Sequence, residues 1–184
     1  MRLLKTAVLA SFAIVPLIAG AQAASVALGK KIEIRVNEEK VEEERKALWD
    51  QFGGWCAIAD WHPAVKTCEE AKDGDNVFRT LTLQDGGVVK ERLTDTGATS
   101  YRYEILESPF PVKNYEAQFA VVPDDDDLDE VNISWAATFD PADGTEASEA
   151  RKVIDGVFDG GIASLKEKIG DKVVEKKKKK RDND

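Results

Sequence analysis

The middle of the chain alternates between apolar and polar residues with a period of two, and this pattern restricts the fold more than any other feature. Six segments of this kind occur, and clusters of Gly, Asp, Pro or Asn separate them at hairpin spacing. The six segments are 65–71, 77–83, 88–93, 99–106, 115–122 and 131–139. Since consecutive strands joined by short turns pair antiparallel, the sequence predicts an antiparallel meander.

Helical patterns lie on both sides of this meander. A further alternating segment at 30–36 precedes a helix predicted over 38–52 and a short helical turn over 55–59. After the last strand, residues 145–170 carry a continuous apolar stripe. This long helix must cover an apolar surface, and one face of the meander offers it. We therefore predict an α+β fold, in which a curved antiparallel sheet of about seven strands surrounds a long C-terminal helix, with two short helices after the first strand.

Residues 1–23 have the pattern of a bacterial export signal. A short basic region precedes an apolar run that ends in the small-x-small sequence Ala21-Gln22-Ala23. Cleavage there predicts a periplasmic or secreted protein with no integral membrane segment, and an uncleaved N-terminal anchor is the alternative. We expect one domain over 24–171 and a basic disordered tail over 172–184, for which electrostatic docking on an acidic surface is the second interpretation.

The charge and the motif content of the chain exclude several classes of function. The formal net charge is −9, and the folded part is more acidic still because many of the basic residues lie in the tail. Such a surface repels phosphate backbones, so we expect no nucleic-acid partner. The sequence has one histidine and no nucleophile motif, nucleotide-binding glycine pattern or metal-ligand set, so we expect no cofactor and no metal.

Cys56 and Cys68 are the two cysteines of the chain. An exported protein meets an oxidising compartment, in which a pair of thiols can form a disulfide. Their separation in sequence permits a bridge without requiring one. Two separate, partly buried thiols remain the alternative interpretation.

Several short sequences follow one another in the order found in one protein family. They are GGWCAIADWHPAV at 53–65, ERL at 91–93, SYRY at 100–103 and SPFPV at 108–112. With the order of elements over 30–169, they resemble the polyketide cyclase/dehydrase-like branch of the SRPBCC superfamily, which shares the helix-grip fold of START domains and birch-pollen allergens. An exported chain of this kind is similar to the periplasmic member encoded with methanol-oxidation clusters. The resemblance implies a cavity between sheet and helix for hydrophobic ligands or lipids or, in fewer members, catalysis.

Strand alternation places two opposite charges on the sheet face that would meet the long helix. Arg79 and Glu91 share this face on adjacent predicted strands, where they can form a hydrogen-bonded pair. The pair either fixes the register or leaves Arg79 to hold the carboxylate of a ligand, and a β-bulge that inverts the face is a further interpretation. His62, which precedes Pro63, either packs the helix-to-strand corner or takes part in ligand binding or proton transfer.

Aromatic side chains share the same face. Three tyrosines there suit a pocket that orients an amphipathic or aromatic ligand, and ordinary core packing is the first account of any single one of them. The candidate ligand-binding residues are Trp61, His62, Arg79, Glu91, Tyr101, Tyr103, Tyr115, Trp135, Val157, Phe158 and Gly161.

The leading functional prediction is an exported, non-enzymatic binding protein for a small hydrophobic or amphipathic ligand. The enzymatic alternative is a cyclase, dehydrase or isomerase that uses Asp60, His62, Arg79, Glu91 or a tyrosine as acid and base. A third class is an accessory protein that docks on a periplasmic oxidation partner through its acidic body and basic tail. A catalyst needs two convergent titratable groups, and Arg79 with Glu91 is the internal pair that the sequence offers.

Overall fold

Seven antiparallel strands form the curved sheet that the alternation predicts. The computed structural model describes residues 25–174. The strands are β1 Val26–Arg35, β2 Val65–Asp73, β3 Asn76–Leu83, β4 Val88–Gly97, β5 Ser100–Glu107, β6 Val112–Pro123 and β7 Glu130–Pro141, in the spatial order β1-β7-β6-β5-β4-β3-β2. The helices are α1 Val41–Phe52, α2 Ile58–Trp61 and α3 Ala147–Ile169. The predicted fold class and order of elements are confirmed.

Several strands extend beyond their predicted ends, and β1 and β4 do so by four residues each. β1 begins at Val26, and its whole length from Val26 to Arg35 pairs with β7. β4 continues to Gly97 through exposed, polar residues that pair with the start of β5. The β4 extension lacks alternation because all of its residues are exposed, so backbone pairing sustains it. The β1 extension instead places Leu28 in the core.

One face of the sheet packs against α3. The helix buries Ile154, Phe158 and Leu165 on the side that faces the strands, and the ring of Phe158 stacks on Trp135 of β7 with centroids 4.1 Å apart. Burial of a large apolar side chain contributes about 1.5–3 kcal/mol. The apolar stripe of α3 therefore holds the helix in the concave face of the sheet.

A disulfide links the segment before α2 to the edge strand β2. Cys56 and Cys68 are bonded, with their Cα atoms 5.5 Å apart. The pairing that the sequence left open is therefore present in the fold. It fixes the corner between α2 and β2 against the sheet.

The folded domain reaches beyond the boundary predicted at residue 171. After α3, a 3-10 turn over Gly170–Lys172 leads Val173 into a bridge with Ile34, and the Val174 amide donates to the Glu33 carbonyl at 2.8 Å. These contacts add backbone hydrogen bonds to the outer edge of β1, which is an edge strand of the sheet. The predicted signal at 1–23 and the rest of the predicted tail, 175–184, lie outside the described residues.

Within residues 25–174, no helix has the length and apolarity that a membrane crossing requires.

Candidate functional site

A cavity of about 270 Å³ lies between the sheet and α3. Apolar side chains from α2, α3, five strands and two loops form most of its wall. These are Ile58, Ala64, Val65, Leu81, Leu83, Val89, Ile105, Phe110, Trp135, Ile154 and Val157. Six side chains with polar groups complete it, namely His62, Gln84, Asp85, Glu91, Tyr103 and Tyr115. Such a wall suits an apolar molecule with a few polar groups.

The predicted site residues divide into two groups. His62, Glu91, Tyr103, Tyr115, Trp135 and Val157 line the cavity, whereas Trp61, Arg79, Tyr101, Phe158 and Gly161 are not part of its wall. The second group is buried in the core next to the first. Strand alternation identified the correct face, but that face is divided along its length between a packed region and a cavity.

An aromatic cluster fills the packed region. Trp61 stacks on Phe119 at 5.6 Å between centroids, Tyr101 stacks on Phe119 at 5.7 Å, and Trp135 meets Trp61 edge to face at 5.7 Å. The cluster leaves no room for a ligand there. It confines the cavity to the part of the fold near Ile154 and the turn between β3 and β4.

Gly161 lies where α3 packs closely against aromatic side chains. A Cβ at this position would lie 2.8 Å from Cδ2 of His62 and 2.9 Å from Cζ3 of Trp135, so only glycine lets α3 approach the corner. Gly156 and Gly160, its neighbours on α3, have open space or an ordinary contact instead. The space of its missing side chain at Gly161 is taken by aromatic rings, and its place in the ligand site stays a prediction.

Arg79 and Glu91 form a buried ion pair. They are directly opposite one another in the β3–β4 register, Nε of Arg79 donates to Oε2 of Glu91, and Nη1 donates to the carbonyl of Trp55 at 2.5 Å. The guanidinium also lies 3.9 Å from the centroid of the Trp55 ring. Their relative exposures are 1% and 4%, so the pair fixes the register and attaches the segment before α2 to the sheet.

Only the acidic member of this pair faces the cavity. Glu91 is part of the wall, while Arg79 lies behind it. Burial raises the pKa of the Glu91 carboxyl, against the opposing effect of the Arg79 charge. The geometry supports the register-fixing interpretation of Arg79 and places its guanidinium away from any ligand carboxylate in the cavity.

His62 uses both ring nitrogens within the protein. The Ala64 amide donates to Nδ1 at 3.1 Å, so Nε2 carries the proton and donates to the Val157 carbonyl at 3.0 Å. Burial lowers the pKa of this imidazole, which keeps it neutral. His62 therefore joins the α2–β2 corner to α3, and neither nitrogen is available for proton transfer to a ligand.

A hydrogen bond joins two aromatic side chains of the cavity wall, and a second tyrosine lies beside them. Nε1 of Trp135 donates to the hydroxyl of Tyr103 at 2.9 Å, and the ring of Tyr115 lies beside that of Tyr103 with centroids 6.2 Å apart. Burial raises the pKa of both tyrosines well above the ordinary value. Both hydroxyls therefore remain protonated and offer a neutral polar group at the wall.

The sheet opens beside Tyr115. β5 and β6 pair from Ser100 with Ala120 to Glu104 with Glu116 and no further. Beyond this point Ile105 and Tyr115 border both the cavity and a surface groove. The cavity therefore reaches a gap between two strands.

The mouth of the cavity lies at two loops. Gln84 and Asp85 are exposed at the β3–β4 turn, and Phe110 in the β5–β6 loop is half-buried. A Cβ on Gly87 would lie 3.3 Å from Cγ of Pro109, so the two loops touch. Sequence reasoning missed Gln84, Asp85 and Phe110 as wall residues. Phe110 lay in a recognised family sequence, whereas the two polar residues looked like ordinary turn residues.

The described residues hold no cluster suited to a metal ion. Among residues 25–174, no three His, Cys, Asp or Glu side chains come together as metal ligands would.

A seven-stranded antiparallel sheet around a C-terminal helix, with a cavity between them, defines the START-like helix-grip class. Residues 34–170 match the model of the family described as polyketide cyclase / dehydrase and lipid transport. The match spans more than half of the 184 residues, so the chain belongs to this family.

Solved structures agree with this assignment. The protein XoxI from Bacillus cereus is 26% identical with a TM-score of 0.65, over 79% of this chain and 96% of that one. A putative uncharacterized protein from Bacillus thuringiensis is 25% identical with a TM-score of 0.64, over 78% and 98% of the chains. The Zhui aromatase/cyclase from Streptomyces sp. R1128, 13% identical over 79% and 92% with a TM-score of 0.57, shares the fold. Among curated proteins, none matches the chain.

Proposed function

We propose that this protein is a non-enzymatic binding protein that holds a small hydrophobic or amphipathic ligand between the sheet and α3. The observation that carries the proposal is the apolar cavity itself, which persists beside a tightly packed aromatic cluster. An empty cavity lined by apolar side chains costs stability because the side chains lose dispersion contacts. Since the adjacent region of the same face is tightly packed, the cavity indicates space for a ligand.

The polar groups of the wall support binding over catalysis. His62 has both nitrogens engaged, and Glu91 is paired with Arg79. Groups held in this way orient a ligand without exchanging protons with it.

The test compares two tryptophan substitutions on one strand. Ile105 lines the cavity, whereas the adjacent Leu106 is 47% exposed. Ile105→Trp should fill the cavity and abolish the change in 2-naphthol fluorescence that binding to the protein causes. Leu106→Trp should bind 2-naphthol as the wild type does. Equal binding by both variants would place the ligand elsewhere and overturn the proposal.

A cyclase- or dehydrase-type activity is the second candidate. Glu91, Tyr103 and Tyr115 converge on the cavity, which favours acid–base chemistry on a carbonyl compound. The uncharged bicyclic ketone 2-tetralone tests it, since a base in the cavity would speed deuterium exchange next to its carbonyl. We expect the exchange rate in NMR to be unchanged by the protein. Acceleration that Glu91→Gln removes would favour the enzyme.

Export of the protein forms part of the proposal and rests on residues 1–23. The intact mass of periplasmic protein should correspond to a chain that begins near Ala24, and a chain that retains Met1 in a membrane fraction would contradict export. Docking on a periplasmic oxidation partner remains a further proposal, supported by the acidic net charge of −9. Co-purification from the periplasm at low salt, lost at high salt, is the result that it predicts.

A further inference from the structure

The volume of the cavity limits the size of its ligand. A cavity of about 150 Å³ in another protein accepts one benzene ring. The cavity described above measures about 270 Å³, which is less than twice that volume. Two fused six-membered rings are therefore the largest rigid body that it can enclose, and a long acyl chain exceeds it.

The charges of the wall limit the charge of the ligand. Among the described residues that line the cavity, Asp85 and Glu91 are acidic and none is Lys or Arg. The positive charge of Arg79 is paired with Glu91 and lies behind it. A carboxylate that entered would lose its hydration without meeting a counter-charge, and a buried unpaired charge is costly.

The polar groups of the wall favour a ligand that donates hydrogen bonds. An ionised carboxylate such as Glu91 is a hydrogen-bond acceptor only, and a tyrosine hydroxyl such as that of Tyr115 can accept as well as donate. The exposed carboxylate of Asp85 stands at the mouth, where it attracts cations and repels anions. The wall and the mouth of the cavity therefore both favour a ligand that carries a hydroxyl or an amine.

We infer that the ligand is an uncharged or cationic molecule of about two fused rings, which carries a hydroxyl or amine donor, and that the cavity rejects carboxylates and long acyl chains. This inference rests on the proposed function, because it specifies the occupant of the same cavity.

Four probes separate size from charge. They are 2-naphthol, 2-naphthylmethylammonium, 2-naphthoate and palmitate, each titrated into the full protein by calorimetry at neutral pH. We expect 2-naphthol and the ammonium compound to bind at least about tenfold more tightly than 2-naphthoate. Palmitate should neither bind nor displace 2-naphthol.

Two neutralising variants test the origin of the charge preference. Asp85→Asn keeps an acceptor for the Gly87 amide, which Asp85 binds at 2.9 Å, and should weaken the ammonium probe relative to 2-naphthol. Asp95→Asn is the matched control, because Asp95 likewise accepts from an adjacent amide at 2.9 Å but lies outside the wall. This control should leave the ratio of the affinities for the ammonium probe and 2-naphthol unchanged.

A substitution inside the cavity gives a second, independent readout. Glu91→Gln leaves the Arg79 charge uncompensated and should raise the affinity for 2-naphthoate relative to 2-naphthol. If this variant does not fold, the Asp85→Asn comparison still decides the charge preference.

The outcomes distinguish the inference from the proposed function. Binding of 2-naphthoate within about threefold of 2-naphthol would overturn the charge selection, and displacement of 2-naphthol by palmitate would overturn the size limit. Failure of all four probes to bind the wild type would instead overturn the proposed function.

Discussion

At the scale of single residues, buried polar side chains hold the elements together around the cavity. Arg79 joins β3 to β4 and to the carbonyl of Trp55, and His62 joins the α2–β2 corner to α3. Each side chain stabilises the fold by joining separate elements through its hydrogen bonds. Their removal should therefore affect stability before it affects binding.

Loss of one partner of the Arg79–Glu91 pair should be severe. Arg79→Met leaves a buried carboxylate unpaired and should lower the free energy of unfolding by about 3–5 kcal/mol, whereas Arg79→Met with Glu91→Leu should recover most of it. Lys90→Ala is the control, because Lys90 pairs with Glu107 at 2.9 Å on the surface and should cost at most about 1 kcal/mol. Urea unfolding measures all three, and equal losses at both pairs would contradict a buried role for Arg79.

His62 gives the protein a dependence on pH that can be assigned to one group, since it is the one histidine of the chain. Burial lowers its folded-state pKa below the ordinary value of about 6.5, so the unfolded chain binds more protons between the two values. Stability should therefore fall as the pH drops below about 6.5, until the folded pKa is passed.

Two measurements check this expectation. The imidazole resonance should titrate below the ordinary pKa in NMR, and His62→Gln should remove this component of the pH dependence of unfolding. An imidazole that titrates at or above its ordinary pKa would contradict the burial of His62.

At the scale of elements, two connections outside the strand ladders fix the edges of the sheet. The Cys56–Cys68 disulfide attaches the segment before α2 to β2. At the opposite edge, Val173 and Val174 bind β1 after α3 ends. Both edges of the sheet are therefore tied to the helical layer.

The disulfide should contribute about 3 kcal/mol by restricting the unfolded chain. Cys56→Ala with Cys68→Ala should lose this amount in urea unfolding, and reduced wild type should match the double variant. Two reactive thiols in freshly isolated, denatured protein would show that the bridge is not formed.

Two truncations locate the end of the domain. Removal of residues 175–184 should change the free energy of unfolding by less than about 0.5 kcal/mol. Removal of residues 172–184 also deletes the Val174–Glu33 hydrogen bond and the ion pair of Lys172 with Glu44 at 2.9 Å, and should cost about 1–2 kcal/mol. Identical stability of the two truncated proteins would show that the domain ends before Lys172.

The elements could be predicted from the sequence because their signals are local. Alternation identified every strand of β2 to β7 and placed Arg79 and Glu91 on one face of adjacent strands, where the β3–β4 register pairs them. The polar end of β4 and the docking of Val173 could not be predicted in this way. Neither has an apolar pattern, because each is held by backbone hydrogen bonds to a distant segment.

At the scale of the whole molecule, one concave face of the sheet serves two purposes. Part of the face is filled by aromatic rings from α2, α3 and the strands, and part is left open near Ile154. The sequence predicted that Tyr101 and Tyr103 share this face, which is correct. Only Tyr103 lines the cavity, because packing among distant elements, and not the period of a strand, decides where a void remains.

The same packing explains why a sequence-based list of site residues was incomplete. Leu81, Val89 and Ile105 lie two residues from Arg79, Glu91 and Tyr103 on the same strands and line the cavity. Their residue types, however, are those of any protein core. The mouth residues Gln84 and Asp85 belong to a turn, whose position over the cavity depends on its contact with the β5–β6 loop.

The central claim is that a small ligand occupies the space between the sheet and α3. Intermolecular nuclear Overhauser effects between bound 2-naphthol and methyl groups of the protein test it most directly. We predict contacts to Leu81, Val89 and Ile154, which line the cavity, and none to Leu106 on the outer surface. Contacts confined to surface methyl groups, with the wall residues unperturbed at saturation, would contradict the account.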